Sequence, residues 1–388
     1  MSIREVPLKC TRDGLQICGM QYFPEGFEEG KKYPTIITSH GFNGNYSRME
    51  DFGRTFAGLG YIAVSFSFCG GGCSADDSSL QSEGSSLDMT ISTEVSDLCT
   101  VIDYMTTQPF VDTNNLLLLG VSQGGFVSGL AAAKCGDRIK KLIMIYPAIC
   151  IPDHARRGCL GGSTYDPGNV PEEIHCPKTT LGKAFHEDVV GMDPYLELSK
   201  YQGPVLILHG LEDKTVNYSY AIRAKEAYGK EQCHLQLIRN MGHGYDKKQF
   251  DSMIASIRQF LAGRREILTI RVIITHRECF VDGEKKRNAV YFTGYCENKD
   301  FQGAILPGGC DMQSYDPEKG RNIRAEYTLN GLDSEGQNCR LHIVNQWGGE
   351  DWKPVIVTDS ETLAWLNNAD LTAVLEGGSG GPTVRIYR

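Results

Sequence analysis

A serine framed by glycines, Gly120-Val121-Ser122-Gln123-Gly124, follows an apolar run at 116–119 and opens into an Ala- and Gly-rich stretch at 125–133. Between a strand and a helix, such a pentapeptide makes a sharp turn. Its small neighbours hold the serine in a strained backbone conformation with the hydroxyl exposed. A serine hydroxyl is a weak nucleophile alone and needs a base, with a further group to orient that base. Two later segments could supply them. His209-Gly210-Leu211-Glu212-Asp213-Lys214 follows the apolar run 205–208, and Asn240-Met241-Gly242-His243-Gly244 follows the run 234–238. In the chain order Ser122, Asp213, His243, the imidazole would take the serine proton and later return it to the leaving group. Asp213 would accept the other ring N–H, fixing the tautomer. Glu212 is the rival acid, but Asp213 fits the spacing after the strand. Ser39-His40-Gly41-Phe42-Asn43-Gly44, after the run 35–38, offers a backbone N–H to a developing oxyanion. The expected donors are the N–H groups of Phe42 and Gln123.

Each segment alone is commonplace: a serine turn, a loop histidine, an aspartate cap. Together with the turn at 39–44 they make four, each closing an apolar run and in one order, and point to acyl transfer through a covalent acyl-serine. His40 and His209, beside the tight Gly41 and Gly210 turns, are read as structural, and the six remaining histidines as ordinary. No HExxH and no paired CxxC occurs, and no GxGxxG opens a helix after the first strand. Neither a metal nor a nicotinamide cofactor is therefore expected. Cys69-Gly70-Gly71-Gly72-Cys73 is read as a glycine-rich turn rather than a redox pair.

The elements that must position these residues alternate. Residues 1–263 carry buried-strand runs at 35–38, 61–66, 116–119, 142–145, 205–208 and 234–238. Helical stripes run through Val95, Leu98, Ile102 and Met105, and through Phe250, Met253, Ile254, Ile257 and Leu261. That pattern predicts an α/β domain, a mostly parallel sheet with helices on both faces. The alternation lapses at about 149–200, a Gly-, Pro- and charge-rich insertion placed where a lid over the site would lie. Residues 264–388 change character. Short β-type runs at 268–274, 289–296, 323–329, 340–344, 355–357, 371–375 and 383–387 predict a small all-β barrel or sandwich. All three tryptophans, Trp347, Trp352 and Trp365, lie there.

The formal charge of −9 over 388 residues argues against nucleic acid or an anionic membrane as a standing partner. No apolar run follows Met1, so neither a signal peptide nor a membrane span is expected. The 14 scattered cysteines fit reduced thiols and a cytoplasmic location.

Beyond the triad, Tyr146-Pro147-Ala148-Ile149-Cys150-Ile151-Pro152-Asp153-His154-Ala155-Arg156-Arg157-Gly158 and Tyr165-Asp166-Pro167-Gly168-Asn169-Val170-Pro171-Glu172-Glu173 resemble the lid of bacterial cinnamoyl (feruloyl) esterases of the α/β-hydrolase superfamily. The resemblance covers roughly residues 5–262. It implies a serine carboxylesterase that hydrolyses hydroxycinnamoyl esters, with a small-molecule ester carrying an aromatic acyl group as its partner. Relatives can hold a tryptophan in the lid, whereas this insertion has Tyr165, Phe185 and Tyr195; relatives often have a Gly-His-Gly type turn where this chain has the Cys69–Cys73 segment. A generalist short-acyl esterase, thioesterase or peptidase of the same fold is the alternative, and a non-catalytic binding protein a more distant one. Ile305-Leu306-Pro307-Gly308-Gly309-Cys310-Asp311, Ala325-Glu326-Tyr327-Thr328-Leu329 and Val384-Arg385-Ile386-Tyr387 resemble a family of small β-barrel domains of unknown function. The expectation there is a packing or dimerisation module, consistent with a homodimer. It is preferred to an accessory domain that binds sugar or substrate through Trp347 or Trp352.

Overall fold

The computed structural model describes residues 3–71, 80–229, 231–282, 284–317, 320–349, 351–378 and 380–388. Gly72 and Cys73 of the glycine-rich turn lie outside the described residues. The chain divides into two compact units, Met1–His243 and Gly244–Arg388.

The first unit is built on eight strands: β1 (Arg4–Arg12), β2 (Leu15–Phe23), β3 (Tyr33–Ser39), β4 (Ile62–Phe66), β5 (Val111–Val121), β6 (Lys141–Ile145), β7 (Val205–Gly210) and β8 (Cys233–Ile238). They form one sheet in the order β1-β2-β4-β3-β5-β6-β7-β8. Neighbours from β4 to β8 pair in parallel, while β2 runs against both β1 and β4. The inner parallel strands β4 and β7 are buried at every residue and show no polar alternation, because helices cover both faces. The helix Ile91–Thr106 starts on a reciprocal Thr90–Thr93 capping box and buries Val95, Leu98, Ile102 and Met105, the stripe expected from spacing. This is the α/β-hydrolase arrangement.

The hairpin β1–β2 escaped sequence reading for a physical reason. β1 carries Arg4, Glu5, Lys9 and Pro7 and fully buries only Leu8, so no apolar run marks it. Between β6 and β7 the insertion folds into short pieces. The helix Ile151–Arg156 is followed by the ribbons Cys159–Leu160/Ser163–Thr164 and Glu173–His175/Thr180–Gly182, and then by the helices Lys183–Val189 and Pro194–Leu198.

The second unit opens with the helix Lys247–Leu261, started by an Asp246–Gln249 capping box. Nine strands follow: β9 (Glu266–Asp282), β10 (Lys285–Glu297), β11 (Phe301–Ile305), β12 (Gly309–Asp316), β13 (Gly320–Asp333), β14 (Asn338–Trp347), β15 (Trp352–Thr358), β16 (Thr372–Glu376) and β17 (Thr383–Tyr387). All pairings are antiparallel. The order β9-β17-β16-β15-β14-β13-β11-β10-β12 closes on itself through β9–β10 and β13–β12. β11 and β12 successively fill one place between β10 and β13, giving an eight-position barrel. The sequence expectation of a small barrel or sandwich resolves to the barrel. Its helix is tied on by Thr372 Oγ1, which donates to Gln259 Oε1 at 2.6 Å. Glu266 and Glu376 sandwich the buried Arg385 guanidinium at 2.9–3.2 Å.

Candidate active site

The loops bearing the sequence-predicted residues leave the carboxyl ends of β3, β5, β7 and β8, the edge where open α/β sheets hold ligands. Ser122 sits between β5 and the helix Gln123–Cys135 at φ 55°, ψ −120°. A non-glycine residue resists that region, and surrounding bonds hold it there. The Ser122 N–H donates to Ile145 O at 2.9 Å, and its carbonyl accepts from Gly125 and Ala148 at 2.9 Å each. Both flanking glycines are steric requirements. A Cβ on Gly120 would lie 2.1 Å from Gly124 O, and one on Gly124 would lie 2.3 Å from His40 O.

Three distant side chains meet. Ser122 Oγ lies 2.8 Å from His243 Nε2, and His243 Nδ1 lies 2.8 Å from Asp213 Oδ2. An ionised carboxylate only accepts, so Nδ1 carries the ring proton and Nε2 is left to accept the serine hydroxyl. Asp213 Oδ1 accepts the N–H groups of Thr215 and Val216 at 2.9 and 2.8 Å. Burial would raise this carboxyl. Hydrogen bonds from His209, His243 and the Val216 N–H outweigh it and hold Asp213 well below the usual carboxylate range. Glu212 is exposed, so the acid facing the imidazole is Asp213. His209 is fully buried, within 2.9 Å of Val216 O and 3.4 Å of Asp213 Oδ2.

The turn after β3 passes beside the serine: a Cβ on Gly41 would stand 3.2 Å from Ser122 Cβ. His40 holds this turn. Its Nδ1 lies 2.8 Å from Gly41 O, and its Nε2 accepts the Phe68 N–H at 3.2 Å; burial pushes the imidazole down to about 4. Phe42 and Gln123 line the same cavity as Ser122 and His243. Gln123 is the first residue of its helix, where a backbone N–H has no intrahelical acceptor and the helix dipole favours negative charge.

That cavity has a volume of about 770 Å³. The insertion supplies Ile151, Leu160, Leu181 and Phe185 to its wall, while Arg48, His154 and Lys178 bring cationic or polar chemistry. Of the three aromatics expected in the insertion, Phe185 lines the cavity; Tyr165 instead pairs with His186 Nδ1 at 2.7 Å.

Two residues escaped sequence reading. The Tyr146 ring, on a residue at φ 34°, lies 4.7 Å from the His243 ring centroid and walls the site. Glu94, fully buried on Ile91–Thr106, accepts from Gln123 Nε2 at 2.9 Å on both oxygens; burial pushes its carboxyl up to about 8. An acid on an amphipathic helix reads as part of a solvated face, so only the fold reveals it. Among the described residues no group of three or more His, Cys, Asp or Glu could hold a metal ion. No described helix is long and apolar enough to cross a membrane.

A family model, the prolyl oligopeptidase family, matches residues 55–263. Among solved structures the chain is similar to Est1E from Butyrivibrio proteoclasticus, at 26% identity and a TM-score of 0.58, over 66% of this chain and 98% of that one. Est1E with ferulic acid bound aligns over the same shares at 28% identity and a TM-score of 0.60. A hypothetical protein from Pseudomonas aeruginosa shares the fold at 14% identity and a TM-score of 0.52, over 66% of this chain and 94% of that one. Because the family match spans more than half of the 388 residues, the chain belongs to the prolyl oligopeptidase family and is a serine hydrolase of the α/β-hydrolase fold.

Proposed function

We propose that the protein is a carboxylesterase acting on hydroxycinnamoyl esters, with Ser122 as nucleophile, His243 as general base and acid, and Asp213 as the group that orients it. The observation carrying this reading is the unbroken Ser122–His243–Asp213 hydrogen-bonded chain at one wall of a largely apolar cavity of about 770 Å³. Such a volume suits an aromatic acyl group with its alcohol. The ferulic acid bound to Est1E lends support for the acyl class.

The steps follow from the geometry. Ser122 Oγ attacks the acyl carbon as its proton passes to His243 Nε2. The N–H groups of Phe42 and Gln123 stabilise the tetrahedral oxyanion. Collapse breaks the ester C–O bond, and His243 returns the proton to the departing alcohol. Water then loses a proton to the same nitrogen, attacks the acyl-serine and frees the acid. The ionised Asp213 stabilises the imidazolium in both halves.

The test compares wild type with Ser122→Ala on methyl ferulate, chlorogenate and p-nitrophenyl acetate. Hydrolysis retained by the alanine variant overturns the nucleophile assignment. Aliphatic esters cut at a higher kcat/KM than methyl ferulate overturn the substrate class. The family match favours a second reading, peptide hydrolysis. Turnover of a Gly-Pro p-nitroanilide at a kcat/KM above that of methyl ferulate decides for it.

A further inference from the structure

The barrel of the second unit is filled at one end and open along the rest. Its interior is laid in rows by the strand register. Leu329 opposite Leu341, with Leu268, Ile270, Cys296 and Ile305, closes one end in a solid apolar core. The next row holds Phe292 and Tyr327, whose rings meet edge-on at 5.4 Å. Beyond it Val290, Asp311, Ala325 and Asn345 stand directly opposite one another on four adjacent strands. Above them come Asn288, Gln313 and Ile323. Residues of these three rows, with Trp352, line a cavity of about 490 Å³.

A core that only packs would be apolar here, yet three polar oxygens face this space. Asp311 Oδ1, the Tyr327 hydroxyl and Asn345 Oδ1 are buried with no partner among the described residues, although Asp311 Oδ2 accepts from Gln313 Nε2 at 2.7 Å. Tyr327 is 4% exposed and Asn345 2%. Leaving such groups unpaired costs stability, so a purely structural barrel would be more stable with Leu or Phe at these places.

We propose that the barrel lumen is a second binding site, for a small uncharged aromatic molecule bearing hydroxyl donors. The volume falls within the range of small-ligand sites. Phe292, Tyr327 and Trp352 offer ring faces and edges to a flat body, and Val272, Ile274 and Val290 complete the apolar wall. Two of the three orphan oxygens only accept, so the ligand must bring O–H groups to them. The charged lining is balanced, Asp311 and Glu278 against Arg277 and Arg321. A ligand carboxylate at the Asp311 row would meet a like charge. This site does not depend on the esterase reading, because all its residues belong to the second unit.

The experiment uses the full chain. All three tryptophans lie in the second unit and Trp352 faces the cavity, so tryptophan emission reports on this unit alone. Titration with 4-hydroxycinnamyl alcohol, corrected for probe absorption, should give a saturable change with a dissociation constant below about 1 mM. The bis-methyl ether, which lacks donors, should bind at least ~10-fold more weakly. Asn345→Leu should cost a similar factor. Ala325→Phe, which fills the lumen, should abolish the response, and Met312→Phe on the outer face should leave it unchanged. Circular dichroism checks that each variant folds; if Ala325→Phe does not, Asn345→Leu and the ether still decide. No saturable response in wild type, equal affinity for the ether, or an undiminished response in folded Ala325→Phe or Asn345→Leu overturns the proposal. A lumen occupied by water alone gives the first of these results.

Discussion

Replacing Asp213 by asparagine should reverse the proton pattern of His243 without moving its ring. Asp213 Oδ1 accepts two backbone N–H groups, from Thr215 and Val216, at 2.9 and 2.8 Å. Only an oxygen can serve both, so the asparagine oxygen takes that place and its NH₂ turns toward His243 Nδ1, now at 2.8 Å from Oδ2. An amide nitrogen donates, which forces Nδ1 to accept and moves the ring proton to Nε2. The Ser122 hydroxyl then faces a donor and loses its base. The corresponding loss in serine proteases is ~10⁴ in kcat, or about 5.5 kcal/mol at 1.36 kcal/mol per factor of ten. The assay is kcat on p-nitrophenyl acetate at pH 8 for wild type, Asp213→Asn and Glu212→Gln. The exposed Glu212 should tolerate its change. More than about a tenth of wild-type activity in folded Asp213→Asn would refute the proton argument. So would an equal loss in Glu212→Gln. A second consequence carries a definite sign. A carboxyl held low in the folded state stabilises the protein above its unfolded pKa, and that stability is lost as pH falls. Asp213→Asn should therefore show a shallower acid-induced loss of Tm than wild type.

Glu94 acts in the opposite direction. Its folded carboxyl stands at about 8 against an ordinary value of 4.5, so the folded state keeps a proton that the unfolded chain releases, and stability falls as pH rises between those values. Glu94→Gln should raise Tm relative to wild type more at pH 8 than at pH 5; an equal difference at both would contradict this. Gly124→Ala would place a Cβ 2.3 Å from His40 O and 2.5 Å from Ser39 O, backbone atoms that cannot step aside. A loss of about 1–3 kcal/mol or more is expected, measured by urea unfolding, whereas Gly58→Ala, with open space around it, should not destabilise. Phe185→Leu trims the cavity wall contributed by the insertion. It should lower kcat/KM for methyl ferulate by ~10-fold while sparing p-nitrophenyl acetate; equal effects on both would remove Phe185 from acyl recognition.

Much of the first unit was legible because its constraints are local and strong. Strands covered on both faces must be apolar throughout, so β4, β6, β7 and the run 116–119 of β5 announce themselves. The close approach of Gly120 and Gly124 to neighbouring backbone leaves no alternative residue, so the turn around Ser122 does as well. Strands with one wet face gave weaker signals. β1 is charged and contains Pro7, and β12 reads Gly-Cys-Asp-Met-Gln-Ser-Tyr-Asp, with no apolar alternation. Its Asp311 and Gln313 face a cavity rather than a core, so the polarity that hid the strand is what marks the lumen. Glu94 and Tyr146 stayed hidden because their importance comes from what a different segment places against them.

The two sheets differ in how they end. The barrel closes, so every strand has a neighbour on both sides, whereas the order in the first unit begins at β1, which pairs with β2 alone among the strands of that sheet. Unpaired strand flanks are templates for association between chains, and charged residues or proline blunt them. β1 carries such protection in Pro7 and in its charged residues Arg4, Glu5, Lys9 and Arg12. Pro7→Val, which restores a backbone N–H and a β-branched side chain to that flank, should therefore raise light scattering on mild heating, and unchanged scattering would remove Pro7 from this protective role.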